Sequence, residues 1–585
     1  MAQAAEPTEA APPGPVQRWD GAQVDWNLAH EILEGSQYKA TLIDYLYNGV
    51  PTFFSGTPPP PDPSIPTMAA EQALLPQLHA SVRADIQRGR LRNITAEIHS
   101  GAIKQVQPCT LRAVMRTNNK IRIIEDYSQH DGQGRRRGVN AGIDTSGCPR
   151  DCPLGSLTDA RNAILKIRER HPDDAILMSV SDFKEYFYHL PLREPDNLIY
   201  QVHYDGETYS TTALPMGSKG SPHPASLIST EINEGIERIL RMEKGEDIYL
   251  ITYVDDTMLI SLAPIASELR ERQRDYYARL ALPSATGKPK LDGPPSTTAE
   301  FLGVMFDSTN GTMTLLEDRW KAIMAELHEA LSQATSYTDM AHLIGRLQHI
   351  THLIPLGKVY LHNSHKYVAS LAIHRNRKRN LPRAVREELL WWHSVLKHGP
   401  PTAKMERRKR LSAMTIHTDA SLWGAGAVHD FPTSSTTPQH SVAQYARWPV
   451  GSVFTSRDQT TLELAAVVYT IEHNINSIRH KVITIKSDNS AVCDVIARGH
   501  ARSPSLQPLT RYLMCLLAQE DVSLHAEWTP KEQNHAADYL SRLFAPQDHA
   551  GQWQADSTIP PTPWQPMFPS PSITQLLASH IPQVW

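Results

Sequence analysis

The sequence predicts a multidomain α/β protein, and three observations predict it. The chain has 585 residues, several times the ~100–200 residues of a typical domain. Hydrophobic residues make up 40% and charged residues 21%, which is enough apolar content to bury cores instead of remaining disordered. Helical and β-rich runs alternate in two blocks with no repeat of fixed period, a pattern of mixed sheets packed against helices and not of a solenoid.

Proline punctuates both ends. Residues 1–66 hold eleven prolines, Pro58 to Pro61 among them, and residues 546–585 hold eight. Residues 1–69 and 546–585 are therefore expected as extended, weakly ordered arms. Trp19, Trp26 and the stretch 40–47 give the first arm apolar surface with which to dock on a core. The first block, 70–310, carries helical patterns at 68–86, 157–168 and 224–242. Between them lie β-rich runs at 121–124, 175–180, 198–204, 248–254 and 257–262. The second block, 412–545, begins with strands at 414–417, 424–428 and 443–448 and then a helix at 460–475. A strand at 482–486, helical pieces at 490–498 and 508–519, a strand at 522–528 and a last helix from Asn534 follow.

The segment between the blocks, 311–411, is helical and basic. Arg375, Arg377, Lys378, Arg379, Arg383 and Arg386 crowd one stretch, and 404–410 adds five more positive charges. Such a run is either a solvated face with a charged tether or a phosphate track, since Lys and Arg neutralise backbone phosphates without reading sequence.

Several classes are excluded. The balance of 58 Lys+Arg against 62 Asp+Glu gives a net charge of −4, so no global basic field advertises a nucleic-acid partner and any such binding must come from local patches. Five cysteines with no CxxC spacing argue against a disulfide scaffold or a zinc finger and suit a reducing compartment. No apolar run approaches the ~18 residues of a membrane span. The N-terminal residues lack the basic and apolar regions of a secretory signal. The expectation is an intracellular protein of cytoplasm or nucleus with no membrane partner.

Two groups of carboxylates carry chemistry. In ITYVDDTMLI, Asp255 and Asp256 sit between two apolar β runs, which predicts a hairpin with acids at its tip. Turn chemistry alone favours Asp there, but the apolar flanks predict core strands that hold the tip rigid. Asp182 ends a third apolar run, AILMSVSD. If 175–180 and 248–254 are neighbours in one sheet, Asp182 and Asp255 converge. Hard oxygen donors on rigid strands suit Mg²⁺, and a pair of such ions is a standard device for in-line phosphoryl displacement.

These residues resemble reverse transcriptases. Tyr253-Val254-Asp255-Asp256 is similar to the YxDD box, and Asp182 with Phe187 to the first palm motif. Leu214 to Pro222 resembles LPxGxxxSP, Phe301-Leu302-Gly303 the primer-grip FLG, and Arg122 with Asp126-Tyr127 the fingers segment. The resemblance implies that Asp182 and Asp255 ligate the metals with Asp256 as an auxiliary acid. It also implies that Gly217 lets the backbone approach the incoming nucleotide and that Arg122 clamps its triphosphate. Phe187 would be the gate beneath the sugar that collides with a 2′-OH; the bland alternative is a core aromatic. Two residues depart from the pattern. Met216, a substrate-site position, stands where most retroviral-type enzymes carry Gln, and Tyr186 stands where a small residue usually precedes the gate, which changes the pocket's expected shape.

The second group is Asp419 (HTDAS), Glu463 (TTLEL), Asp488 (KSDNS) and Asp538 (AADYL). Each has an innocent reading: Thr460 and Glu463 fit a capping box, Asp488 a helix N-cap, and Asp538 a surface acid. Together, in this order, they resemble the four acids of ribonuclease H, and the resemblance implies that all four hold metal for phosphodiester hydrolysis. Trp528 lies roughly where the loop histidine of retroviral ribonuclease H would fall. The closing run EWTPKEQNHAADYLSR resembles gypsy-type and DIRS-type retroelements more than retroviruses. There is no aspartic-protease triplet, since Asp144 begins DTSG, and no integrase zinc pattern.

The resemblance implies a right-hand polymerase, with fingers and palm over 70–310 and thumb and connection over 311–411, followed by a ribonuclease H-like α/β domain over 412–545. It implies two Mg²⁺ per active site, with Mn²⁺ as the alternative ion. The implied partners are an RNA template, a DNA primer, RNA/DNA hybrid, deoxynucleoside triphosphates and other element-encoded proteins. The rival readings are a polymerase of another template or nucleotide class and a catalytically retired, domesticated nucleic-acid-binding protein.

Overall fold

The computed structural model describes residues 15–580, apart from 17, 116–120, 149–153, 373–376, 406–413, 432–439, 450–453, 504, 547–562 and 569. Most of the basic stretch 404–410 and Arg375 therefore lie outside the described residues. The chain is a mixed α/β protein with several sheets and divides into two compact units, Met1–Met313 and Thr314–Trp585.

The N-terminal unit opens with helices α1 (Trp26–Ile32) and α2 (Lys39–Asn48). Asp25 caps α1 by accepting from Leu28 N at 3.1 Å, and Leu28, Ala29 and Ile32 are buried. Part of the expected arm thus packs into the core through the leucines and Ile32 of α1 and α2, while much of 55–64 is exposed. The predicted helix at 68–86 starts later. Met68–Ala69 pairs in parallel with strand β1 (Thr110–Met115), and α3 runs Leu75–Gln87 with Pro76 in its first turn. Strand β1 pairs antiparallel with β2 (Ile121–Asp126).

Helix α4 (Leu157–Arg170) is held at its start by a Ser156–Asp159 capping box. Strand β3 (Ile176–Asp182), α5 (Pro222–Lys244), β4 (Ile248–Tyr253), β5 (Asp256–Leu262) and α6 (Ala263–Arg279) follow. The central sheet has the order β3–β5–β4, antiparallel throughout. The condition that 175–180 and 248–254 be neighbours is therefore not met. The tight hairpin lays β5 beside β4, and the other edge of β5 takes β3. Helix α5 packs a stripe of Ile228, Ile232, Ile236 and Ile239 into the core. A Cβ at Gly235 would collide with Ile32 O, so α1 lies directly on α5.

The C-terminal unit begins with four helices, α7 (Glu317–Ser332), α8 (Tyr337–Ile350), α9 (His362–Leu371) and α10 (Arg383–Leu396). Then come β6 (Met414–Ala420), β7 (Gly424–Phe431), β8 (His440–Arg447), α11 (Gln459–His473), β9 (Val482–Ser487) and α12 (Ser490–Arg498). The unit continues with α13 (Gln507–Gln519), β10 (Ser523–Trp528), α14 (His535–Ser541), β11 (Gln565–Pro566) and α15 (Pro571–His580).

Its six-stranded sheet has the order β10–β9–β6–β7–β8–β11. Strands β6, β7 and β8 form an antiparallel meander, while β9 and β10 join in parallel across helical connections. Residues 462–471 of α11 are buried without interruption, which fits a run that is apolar on every side apart from Glu463 and Thr470. The proline-rich tail differs from an extended arm. Strand β11 pairs with β8, and Met567, Ile573 and Leu577 are buried in the unit's core.

Candidate active sites

The first site lies where β3 and β4 end and β5 begins. Residues Val254 and Asp255 form a two-residue turn, since Tyr253 is already paired with Asp256. Asp256 thus starts β5 and does not sit at the tip, and it stands opposite Asp182 of β3. Phe183 N donates to Asp255 O at 3.3 Å, which ties the end of β3 to the hairpin tip. Val254 adopts φ 56°, a left-handed conformation that a β-branched residue enters only at a cost of roughly 1–3 kcal/mol. Beneath the hairpin runs a buried polar network. Gln273 Nε2 donates to Tyr277 OH at 2.7 Å, Tyr277 OH donates to Asn233, and Asn233 Nδ2 donates to Thr257 Oγ1 at 3.3 Å. The network fixes β5 against α5 and α6.

The electrostatics of this corner favour a cation. Burial and the neighbouring Asp182 raise the Asp255 carboxyl above its ordinary range, with Lys288 and Arg122 opposing. Burial, then Asp182 and Asp255, push Asp256 up to about 6. Lys288 Nζ lies 3.4 Å from Asp182 Oδ2. Sequence reasoning missed this lysine, whose only signal is its place in the turn-rich run TGKPKLDG.

Other residues singled out from the sequence surround these acids in varied ways. Arg122 is exposed on β2 and bears on Asp255 by charge alone. Phe187 is half-buried on a short helical turn, edge-on to the Tyr186 ring at 5.9 Å. Tyr186 itself is buried, stacks on Phe183 at 4.8 Å and donates to Ala225 O at 2.7 Å. Its bulk fills core and does not stand over the surface beside Phe187. Met216 is 39% exposed. A Cβ at Gly217 would overlap Glu125 O, so close backbone packing demands glycine there on its own account.

The second site is built on β6. Asp419 faces Gly426 of β7 in the register, and a Cβ at Gly426 would strike Ala537 O. The missing side chain lets α14 press onto the sheet and brings Asp538 over Asp419. Glu463 is the fifth residue of α11, past the first turn; Thr455 and Asp458 cap the preceding turn instead of Thr460 and Glu463. Asp488 follows β9, and the cap of α12 is Asn489, whose Oδ1 accepts from Ala491 N at 3.1 Å. Asp538 is buried and is no surface acid; its Oδ1 accepts from Arg542 at 2.7 and 2.9 Å.

Among the described residues, Asp419, Glu463 and Asp488 form a group whose ligand atoms all lie within 4.8 Å of one another. Burial, then Asp538, raises Asp419, with a hydrogen bond donated by Ser541 Oγ at 2.8 Å opposing. Burial, then Asp419, raises Glu463. Gln459 Nε2 donates to Glu463 Oε1 at 2.9 Å, whereas Glu463 Oε2 is buried without a hydrogen-bond partner. Crowded hard oxygens with one unsatisfied donor atom fit a divalent cation. Gln459 and Ser541 also escaped the sequence reading; Gln459 was visible only as an i, i+4 partner of Glu463. Trp528, 58% exposed, donates from Nε1 to Asp488 O at 2.9 Å and pins the loop beside it.

Residues 448–543 match a family model described as reverse transcriptase-like. The match spans α11 to α14 and contains Glu463, Asp488 and Asp538. No curated protein matches the chain. Solved structures that resemble it include the foamy viral protease-reverse transcriptase dRH in complex with double-stranded DNA, at a TM-score of 0.40 and 15% identity, covering 88% of this chain and 84% of that one. The foamy viral protease-reverse transcriptase in complex with an RNA/DNA hybrid is similar at a TM-score of 0.39 and 14% identity, with 86% of this chain and 62% of that one covered. No helix among the described residues is long and apolar enough to cross a membrane.

Proposed function

We propose that the chain is an RNA-directed DNA polymerase of a retroelement with a ribonuclease H centre, both working by phosphoryl transfer. One observation carries the reading: each unit holds its own cluster of acids at the end of a central strand, Asp182, Asp255 and Asp256 in one and Asp419, Glu463, Asp488 and Asp538 in the other. In this reading 70–310 is fingers and palm, 311–411 thumb and connection, and 412–545 the nuclease domain.

Mg²⁺ held by these carboxylates would neutralise charge developing on a reacting phosphate, and Mn²⁺ satisfies the same oxygen set. The chain's own residues do the rest. Asp182, Asp255 and Asp256 hold a cation at a corner fixed by the strained Val254 turn and the Asn233–Tyr277 network. Arg122 offers a guanidinium to the triphosphate of a deoxynucleotide, and Phe187 excludes a 2′-OH. In the other unit Ser541 and Gln459 hold the oxygens of Asp419 and Glu463 in place, and Arg542 does so for Asp538.

The test is deoxynucleotide incorporation on a DNA-primed RNA template with Mg²⁺, beside cleavage of RNA in an RNA/DNA hybrid. Asp255→Asn should abolish synthesis and spare cleavage, and Glu463→Gln should do the reverse. One folded variant that loses both activities refutes two separate centres. A parent chain that is inert but binds hybrid favours the retired-binder reading.

A further inference from the structure

The C-terminal unit contains a cavity of ≈ 620 Å³ that shares none of the four acids and is lined mainly by basic and histidine side chains. It lies between the turn at 355–360, α8, α9 and the C-terminal end of α12. Asp488 precedes α12 and Arg498 ends it, so the cavity and the acid cluster stand about 14 Å apart along that helix. Lys358, Lys366, Arg498 and Arg502 line the cavity, and three histidines, His362, His365 and His500, line it with them. Its other lining residues are Gln348 and Ala497.

We infer that this cavity is a phosphate-binding site, taking a polyphosphate-type anion with uptake of protons on its histidines. Four permanent cations line the concave wall, Arg498 among them with Asp494 as its partner, and among the described residues no carboxylate lines it. Guanidinium forks and lysine ammonium groups together match phosphate oxygens, and the volume exceeds what one phosphate fills. Nε2 of His362 is buried beside the cavity without a hydrogen-bond partner. His365 Nε2 is 3.3 Å from Gln348 Oε1.

The acids nearby are already committed. Asp494 pairs with Arg498 at 2.9 Å. Glu388 of α10 accepts from Asn363 N and Ser364 N at 3.0 and 2.9 Å and pairs with Arg511 of α13. Burial, then Lys366, His500 and Arg511, holds His362 down at about 4. Burial, then Arg498, lowers His500, and burial lowers His365 against the pull of Glu388. The three rings are therefore neutral donors-in-waiting near pH 7. An anion in the cavity reverses the local field and raises their affinity for protons, so affinity must climb as pH falls.

The experiment is calorimetric titration of the full chain with inorganic pyrophosphate in EDTA, at pH 8 and pH 6, in buffers of different ionisation heat. Corrected for the protonation of pyrophosphate itself over this range, the expected results are binding of one ionic form about tenfold tighter at pH 6 and buffer-dependent heat that reports proton uptake by the protein. Lys366→Ala with Arg498→Ala should weaken binding by about tenfold or more with the thermal midpoint unchanged, and His362→Gln should flatten the pH dependence. No binding by the parent, or binding indifferent to the paired substitution, overturns the site. Displacement of pyrophosphate by RNA/DNA hybrid would identify a nucleic-acid backbone as the source of the phosphates, and persistence of binding a free polyphosphate. Asp255→Asn and Glu463→Gln should leave the binding untouched, so this site stands or falls apart from the two acid clusters.

Discussion

Outside the two acid clusters, Glu125 is a carboxylate held in an environment that opposes its charge. Burial, then Asp85, pushes its carboxyl up to about 7, and its Oε2 is buried without a hydrogen-bond partner. Because the folded-state value lies above that of the unfolded chain, the folded state binds the extra proton between about 4.5 and 7. The stability tied to this proton is complete at low pH and is lost as pH rises through 7, by up to about 3 kcal/mol. Glu125→Gln should raise the N-terminal unit's melting midpoint at pH 8 and remove its decline between pH 5 and 8, measured by calorimetry. An unchanged slope would mean that Glu125 ionises without cost. Single residues also mark how far the sequence could be read. The seven acids stood out in the sequence because each sits in a short motif, and the fold brings Asp419, Glu463 and Asp488 within 4.8 Å of one another. Lys288 and Ser541 did not, since their contacts with Asp182 and Asp419 join segments 106 and 122 residues apart, and Gln459 did not, since an i, i+4 glutamine on a helix has no special signature. Thr460 and Glu463 fit a capping box by spacing, yet the helix starts one residue earlier and is capped by the turn before it.

Elements were legible where their apolar period was long and misread where it was short. The runs at 224–242 and 257–262 became α5 and β5 with shifts of one or two residues at their ends. Strand order was not legible, because periodicity says which face of a strand is buried and nothing about its neighbour. The tail shows the opposite error. Prolines suggested an extended arm, whereas Ile573 and Leu577, one helical turn apart, anchor α15 in the core. Burial of Ile573 makes the tail part of the C-terminal unit's stability. Ile573→Ala should cost about 2–4 kcal/mol and lower that unit's midpoint by roughly 5–15 °C in differential scanning calorimetry. A midpoint that does not move would show the tail to be dispensable for folding. The N-terminal unit should melt as before in this variant, which makes its transition an internal control.

At the scale of the molecule, two units carry two acid clusters, and under the proposed function each cluster would set its own unit's response to metal. Burial and like charge raise the carboxyls of this cluster together: Asp538 and Asp488 act on Asp419, Asp419 and Asp488 on Glu463, and Asp538 on the half-buried Asp488. That repulsion is a standing destabilisation above neutral pH, when the folded state must ionise groups it prefers to keep protonated. A divalent ion binds only the folded arrangement, so it stabilises by about 1.4 kcal/mol at tenfold its dissociation constant and more above that. Asp419→Asn removes one charge and one oxygen donor at once. In EDTA at pH 8 it should melt the C-terminal unit at a higher temperature than the parent, because the remaining acids are relieved. With Mg²⁺ added the order should reverse, since the parent gains and the variant does not. The N-terminal unit carries Asp182, Asp255 and Asp256 apart from this cluster, so its own Mg²⁺ shift should persist in Asp419→Asn and vanish in Asp255→Asn. A crossing of the two C-terminal curves with magnesium identifies the four acids as a metal centre. Parallel curves would make them a buried polar cluster whose repulsion serves no ion, and the nuclease half of the proposed function would fall with it.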